Sequence, residues 1–436
     1  MRKQTINLGF IGLGTVGCGA LEVLRRNEEH IAQRLGARLQ VTRAAVRRVE
    51  KPRPVSLEGI AVSADGWEVV NDPHLDIVVE VVGGVVAARE FVFGAVRRGK
   101  HVVTTNKELI AKYGRELFAE ARERGVDVCF EGSVAGGIPI IHPLRESLAG
   151  NQIQELMGIV NGTTNYILTK MKREGMSFED ALREAQARGY AEANPTDDIE
   201  GHDAVYKLAI LSTIAFDTPI RVEDIYREGI SQVAVEDLRY ADELGYEIKL
   251  LAIAKHEQGV LELRVHPALI PQEHPLAAVS EVFNAIFVRG NAVGDVMFYG
   301  QGAGALPTGS AVVGDILDIA RNILHGCTGR VPLVNGPERP VRPMEEVTCS
   351  YYLRTRVTDR PGVLAAISTI LGEERVSVAL MRQQLAEAGT AEIVWVTHPV
   401  QERNLRRALA RIEQLDVVRE INSLIRVEAL KTGKAG

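Results

Sequence analysis

The chain has 436 residues, 46% of them hydrophobic and 25% charged, with a formal net charge of −6, the profile of a multidomain globular protein with sizeable cores. The acidic balance, with no basic stripe interleaved with aromatics, excludes a dedicated nucleic-acid binder, and the longest apolar run, 77–88, is too short for a membrane span and carries Glu80. Four cysteines (18, 129, 327, 349) lie far apart with no Cys-x-x-Cys, and the ten histidines show no metal-ligand spacing, so neither a disulfide framework nor a zinc site is expected. Met1-Arg2-Lys3 passes straight into a strand, which leaves no room for a signal peptide and predicts a cytoplasmic, reduced protein.

From the start to about residue 138, predicted strands (6–11, 39–46, 76–82, 101–104, 126–130) alternate with predicted helices (15–34, 88–98, 108–124). That alternation implies a doubly wound parallel sheet of Rossmann type. The first strand feeds Gly12-x-Gly14-x-x-Gly17, the fingerprint of a dinucleotide site. Gly12 permits the tight turn, Gly14 lets the backbone approach a pyrophosphate, and Gly17 allows close helix–strand packing. After the second strand, an NAD-selective site usually places an acid for the ribose hydroxyls. Here Arg47-Arg48 follow instead, with Lys51 and Arg53 behind. A basic cluster suits a 2′-phosphate and favours NADP, while nearby Glu50 keeps NAD open. Thr104-Thr105-Asn106-Lys107 follow the fourth strand, at the carboxyl end where such sheets bind ligands.

From 139 to 304 the pattern becomes α+β: a helical block (177–215), then strands at 248–255, 260–266, 282–289 and 293–299. Within the helical block, Gly189 to Lys207 gathers Glu192, Asp197, Asp198, Glu200 and Asp203 around Pro195 and Gly201. A helix that has begun by Asp203 sets Asp203 and Lys207 at i and i+4 on one face. The bland alternative is a solvated surface ion pair. A second glycine-rich loop, Gly300 to Ser310, leads into an apolar helix (310–324, within 305–326) expected to pack back on the first domain. Residues 327–348, rich in Pro and Gly, suggest a linker. Beyond it, 349–430 predicts a β-α-β-β-α-β ferredoxin-like unit, and Lys431 to Gly436 a frayed tail.

Taken together, five segments resemble homoserine dehydrogenases with a C-terminal ACT domain: 9–17, 105–111, 131–141 (Glu-Gly-Ser-Val-Ala-Gly-Gly-Ile-Pro-Ile-Ile), 161–168 (Asn-Gly-Thr-Thr-Asn-Tyr-Ile-Leu) and 189–207. The resemblance covers nearly the whole chain. It implies a Rossmann domain (1–138), a catalytic and dimerisation domain (139–304) and an ACT regulatory domain, and NAD(P)-linked interconversion of L-homoserine and L-aspartate 4-semialdehyde in threonine, methionine and isoleucine biosynthesis. It also implies Lys207 as acid/base, Asp203 as its partner, and Glu192, Asp198 and Lys107 as substrate contacts. The implied cofactor contacts are Gly12, Gly14, Thr15, Val16, Gly17, Arg47, Lys107, Gly189 and Gly304. A monovalent cation, Na+, is implied at the backbone of Glu131, Val134, Gly136 and Ile138, with a glycine-rich hinge as the alternative there. Relatives also imply a threonine effector at paired ACT units and a homodimer or homotetramer. Two departures stand out: Arg47-Arg48 in place of an arginine followed by aspartate, and Ala305 where glycine is common.

Reduction of an aldehyde leaves an alkoxide that a positioned acid must protonate, which is the chemistry a lysine beside carboxylates supplies. A thioester-forming semialdehyde dehydrogenase would need a cysteine nucleophile with a histidine partner, and no cysteine here has that context. A non-catalytic amino-acid sensor built on the same domains would have no use for Lys207.

Overall fold

In Thr5–Ile11 the side chains of Ile6, Leu8, Phe10 and Ile11 are all buried, which makes it the central strand of a parallel sheet covered on both faces. The computed structural model describes residues 3–331, 336–386 and 389–428, and the predicted tail Lys431 to Gly436 lies outside them. They form two compact units: Met1–Leu156 with Tyr206–Asp224 and Phe283–Glu338, and Met157–Val205 with Ile225–Val282 and Arg339–Gly436. The residues of the block 139–304 are thus shared between both.

In the first unit, β1 (Thr5–Ile11), β2 (Arg38–Ala45), β3 (Ala61–Ser63), β4 (Ile77–Glu80), β5 (His101–Thr104) and β6 (Val128–Cys129) form an all-parallel sheet in the order β3-β2-β1-β4-β5-β6. This is the dinucleotide-binding order, with its switch point beside β1. Strand β3 and the helix Gly66–Asn71 are absent from the sequence expectation. The predicted helix 15–34 is two, Thr15–Arg26 and Glu28–Leu35, because Asn27 leaves helical geometry and starts a second helix with Glu28 and Glu29 in its first turn. The late helix Ala305–His325 supplies Val312, Val313, Ile316, Ile319 and Ala320 to the core of this sheet. It crosses the first helix at two glycines: a Cβ on Gly19 would stand 1.9 Å from the Ala305 carbonyl oxygen, and one on Gly309 would meet the Gly19 backbone at 2.5 Å.

In the second unit, Tyr246–Glu257 and Val260–Pro271 pair antiparallel along twelve residues. The strands Thr348–Thr358, Val378–Leu385, Thr390–Thr397 and Val418–Val427, with helices Val363–Glu373 and Glu402–Ile412, make the ferredoxin-like unit around its own core. That unit is joined to strand 260–271 by parallel pairing of Ala268 with Arg426 and Leu269 with Val427. Buried ion pairs reinforce the join: Arg264 with Glu428 (2.6 Å), Lys255 with Glu428 (2.7 Å) and Arg354 with Asp237 (2.7 Å). The end of the predicted linker is also fastened, since Leu261 exchanges backbone bonds with Pro340 (2.9 Å) and Arg342 (2.7 Å).

Candidate active site

Gly12 and Gly14 of the fingerprint line a cleft of about 520 Å³ in the first unit, with Val46, Arg47, Arg48 and Lys51 among its other walls. Gly12 has φ +105°, and a Cβ on Gly17 would lie 2.3 Å from the Gly12 carbonyl oxygen, so neither position has room for a side chain. Gly14, which caps the helix carrying Thr15 and Val16, has nothing within 4 Å of a Cβ and no side-chain cap. Its backbone is therefore open to an anion at a helix N-terminus, and these residues fit a dinucleotide pyrophosphate. Of the basic cluster, Arg53 is used internally, donating to the carbonyls of Arg48 (2.9 Å), Val49 (3.3 Å) and Lys51 (2.8 Å). Arg47 and Arg48 are exposed on the rim.

Across the switch point, the Glu80 carboxylate is wholly buried, and burial raises its pKa; it accepts from the Val82 N–H (2.9 Å) and the Thr104 hydroxyl (2.7 Å). Thr104 in turn accepts from the Asn106 N–H (3.0 Å), and Asn106 caps helix Lys107–Arg124 at the Leu109 N–H (3.0 Å). Lys107 is thereby set as the first residue of a capped helix rather than on the strand tip.

The acidic stretch belongs mostly to the second unit. The helical block expected over 177–215 is interrupted: helices span Phe178–Ala187, Thr196–Ile199 and His202–Ala215. Gly189 (φ +74°) and Gly201 (φ +80°) supply the turns. Asn161, to which the sequence assigned no individual role, organises the stretch. Its amide nitrogen donates to Asp198 Oδ1 (2.7 Å) and Asp203 Oδ2 (2.9 Å), while its oxygen caps helix Gly162–Glu174 at the Thr164 N–H (2.9 Å). Asp203 is buried, in the first turn of helix 202–215, and Lys207 follows one turn later. Glu192 stands exposed on the loop, its carbonyl accepting from Gln186 (3.1 Å). Gly304, expected beside Gly189 in one catalytic domain, clusters with the first unit and opens helix 305–325 with φ +129°.

Glu131 is locked at both ends. Its carboxylate accepts from the N–H groups of Ile140 (2.6 Å), Ile141 (2.7 Å) and His142 (2.8 Å), and its own N–H donates to buried Asp315 (2.8 Å). The side chain thus accepts three backbone N–H groups, so a cation here would lean on the carbonyl oxygens of the segment. Ala135 (φ +54°) and Gly136 (φ +57°) turn that segment through two successive left-handed residues. His142 lies 3.1 Å from Asp315, whose hydrogen bond is the main cause raising the imidazole pKa to about 9. His142 thus bridges buried Asp315 and the Glu131 carboxylate (3.9 Å) beside the loop. His142, Glu146 and Asp318 also approach within 4.8 Å of one another, a grouping that spacing alone did not reveal.

Three family models match the chain: the NAD-binding domain of homoserine dehydrogenase over residues 12–131, homoserine dehydrogenase over 139–317, and the ACT domain over 351–417. The chain is 47% identical to a homoserine dehydrogenase of Neisseria gonorrhoeae, covering 98% of this chain and 99% of the relative. It is 46% identical to that of Pseudomonas aeruginosa, over 98% and 100%. A crystal structure of a homoserine dehydrogenase from Thiobacillus denitrificans superposes with a TM-score of 0.92 at 48% identity, covering 98% and 100% of the two chains. A hyperthermophilic archaeal homoserine dehydrogenase in complex with NADPH is similar at a TM-score of 0.63 and 30% identity, covering 72% of this chain and 97% of that one.

Proposed function

Given that the chain belongs to the homoserine dehydrogenase family, oxidoreductases that interconvert L-homoserine and L-aspartate 4-semialdehyde, we propose that Lys207 is its proton-transfer residue and NADP its preferred cofactor. The observation that carries the assignment is the Asn161 amide holding Asp198 and Asp203 together at the head of the helix that bears Lys207. NADP, when bound, accepts or supplies the hydride. Lys207 takes the hydroxyl proton of homoserine during oxidation and returns it to the alkoxide during reduction. Asp203, buried and fixed, orients that lysine; Asp198 and exposed Glu192 receive the substrate amino group, and Lys107 its carboxylate. Gly12, Gly14, Thr15, Val16 and Gly17 would hold the pyrophosphate and Arg47 the 2′-phosphate, and by the family resemblance Gly189 and Gly304 would contact the cofactor.

The carbonyl oxygens of Glu131, Val134, Gly136 and Ile138 would hold Na+, a reading supported by the turn of that segment through left-handed Ala135 and Gly136. The ACT domain would receive threonine as feedback effector in a cytoplasmic homodimer or homotetramer. No helix among the described residues is long and apolar enough to cross a membrane.

The test follows homoserine oxidation through nicotinamide absorbance. Lys207→Ala should fold and bind NADP normally while kcat falls by about 10²–10⁴-fold, the contribution of a general acid–base group. A variant retaining more than about a tenth of kcat, well short of that range, transfers the role to Lys107.

A further inference from the structure

The segment from Tyr226 to Ile230 pairs with strand 260–271 at Arg264 and Val265, and is gripped on two further sides. On one side is Arg426, wholly buried on strand 418–427. Its guanidinium donates to Glu228 from Nη1 (2.8 Å) and Nη2 (3.2 Å), to Glu402 from Nε (2.9 Å) and Nη2 (2.6 Å), and to the Tyr226 hydroxyl (3.1 Å). On the other side the segment holds the acidic loop by its backbone. The Ile230 N–H donates to the Ile199 carbonyl (2.8 Å), and the Arg227 guanidinium donates to the Glu200 carbonyl. Gly229 lies so close that a Cβ there would stand 2.4 Å from the Ile199 carbonyl oxygen. Residues 199 and 200 directly follow Asp198, whose carboxylate is tied to Asn161.

We infer that Glu228, held by Arg426, is a positioning residue for Asp198, and that the ACT sheet sets the geometry of the substrate loop through the strap 226–230. The inference rests on the assignment of Asp198 to the substrate. A planar guanidinium shared by two carboxylates has little freedom to tilt, so a displacement of strand 418–427 moves Glu228 with it. The segment cannot absorb that displacement near Gly229, where backbone already touches backbone. Sheet, strap and loop form one contiguous packed route, the physical requirement for coupling two sites.

Full-length Glu228→Gln, Arg227→Met and Asp198→Asn enzymes, each checked for normal circular dichroism, test this by initial rates at varied homoserine and NADP. Glu228→Gln and Arg227→Met should each raise KM for homoserine about five-fold or more, the effect of losing roughly one hydrogen bond at the site, with KM for NADP unchanged. Half-buried Arg227 can be replaced without stranding a buried charge, so it serves if Glu228→Gln fails to fold. If Asp198→Asn raises KM for homoserine and both strap variants leave it alone, the strap is only structural and the inference falls while the substrate assignment stands. If Asp198→Asn has no effect on KM, the substrate assignment falls and the inference with it.

Discussion

Replacing Asn161 by alanine removes four side-chain hydrogen bonds at once, two from Thr164 and two to carboxylates. The lost Oδ1 cap on Thr164 costs about 1 kcal/mol, the usual value for an N-cap. The two N–H bonds to Asp198 and Asp203 are made to carboxylates, and such bonds contribute about 1.5–3 kcal/mol each. These bonds share one side chain and are not additive, so roughly 3–5 kcal/mol of combined loss is expected, divided between stability and catalysis. Asn161→Asp separates the two: it retains a capping oxygen but replaces the shared donor with a third carboxylate. Urea unfolding should therefore show Asn161→Ala destabilised by about 1 kcal/mol or more. Steady-state oxidation should show both variants losing at least about ten-fold in kcat/KM for homoserine, the equivalent of one lost charge-assisted bond. If Asn161→Ala stays within about two-fold of wild type in kcat/KM, well below that loss, the amide is not an organiser of the site.

Other outcomes follow from the same structure. Arg47→Ala should weaken kcat/KM for NADP by about 1–3 kcal/mol and leave NAD nearly unchanged; equal losses for both cofactors would make Arg47 a structural residue. A chain ending at Pro343 deprives buried Asp237 of Arg354, and Arg264 and Lys255 of Glu428. It also strips strand 260–271 of its pairing at Ala268 and Leu269, uncovering a sheet edge. Such a chain should not unfold cooperatively, and a soluble truncated enzyme with normal kcat would refute this. Glu228 is raised by burial but lowered further by its hydrogen bonds to Arg426, ending at about 2. Because this folded-state pKa is depressed, its contribution is complete above the unfolded value near 4.5 and fades as pH falls toward 2. The stability gap between wild type and Glu228→Gln should accordingly narrow from pH 6 to pH 3, read by denaturant titration, and a constant gap would refute the linkage.

What could be read in the sequence was local. Gly12, Gly14 and Gly17 announce themselves because three backbone requirements fall within six residues, and the β-α-β-β-α-β order follows from periodicity alone. Asn161 did not, because its partners lie 37 and 42 residues away and nothing in its spacing marks an amide that serves two acids. Strand β3 is three residues long, too short to show alternation. The junction between Ala268–Leu269 and Arg426–Val427 is made by main-chain groups, which composition does not encode. For the same reason the fastening of Pro340 and Arg342 to Leu261 was hidden inside a stretch whose prolines suggested a free linker.

The crossing of Gly19 with Gly309 sets a schedule for the newborn chain. The core that holds Ile6, Leu8 and Phe10 of β1 is completed by Val312, Val313, Ile316, Ile319 and Ala320, about three hundred residues downstream. At roughly 5–20 residues per second, the ribosome needs on the order of 15–60 s to deliver them. During that interval the nucleotide-binding sheet waits with one flank uncovered, a surface of the kind that chaperones occupy. The half of the molecule translated first is therefore among the last to close.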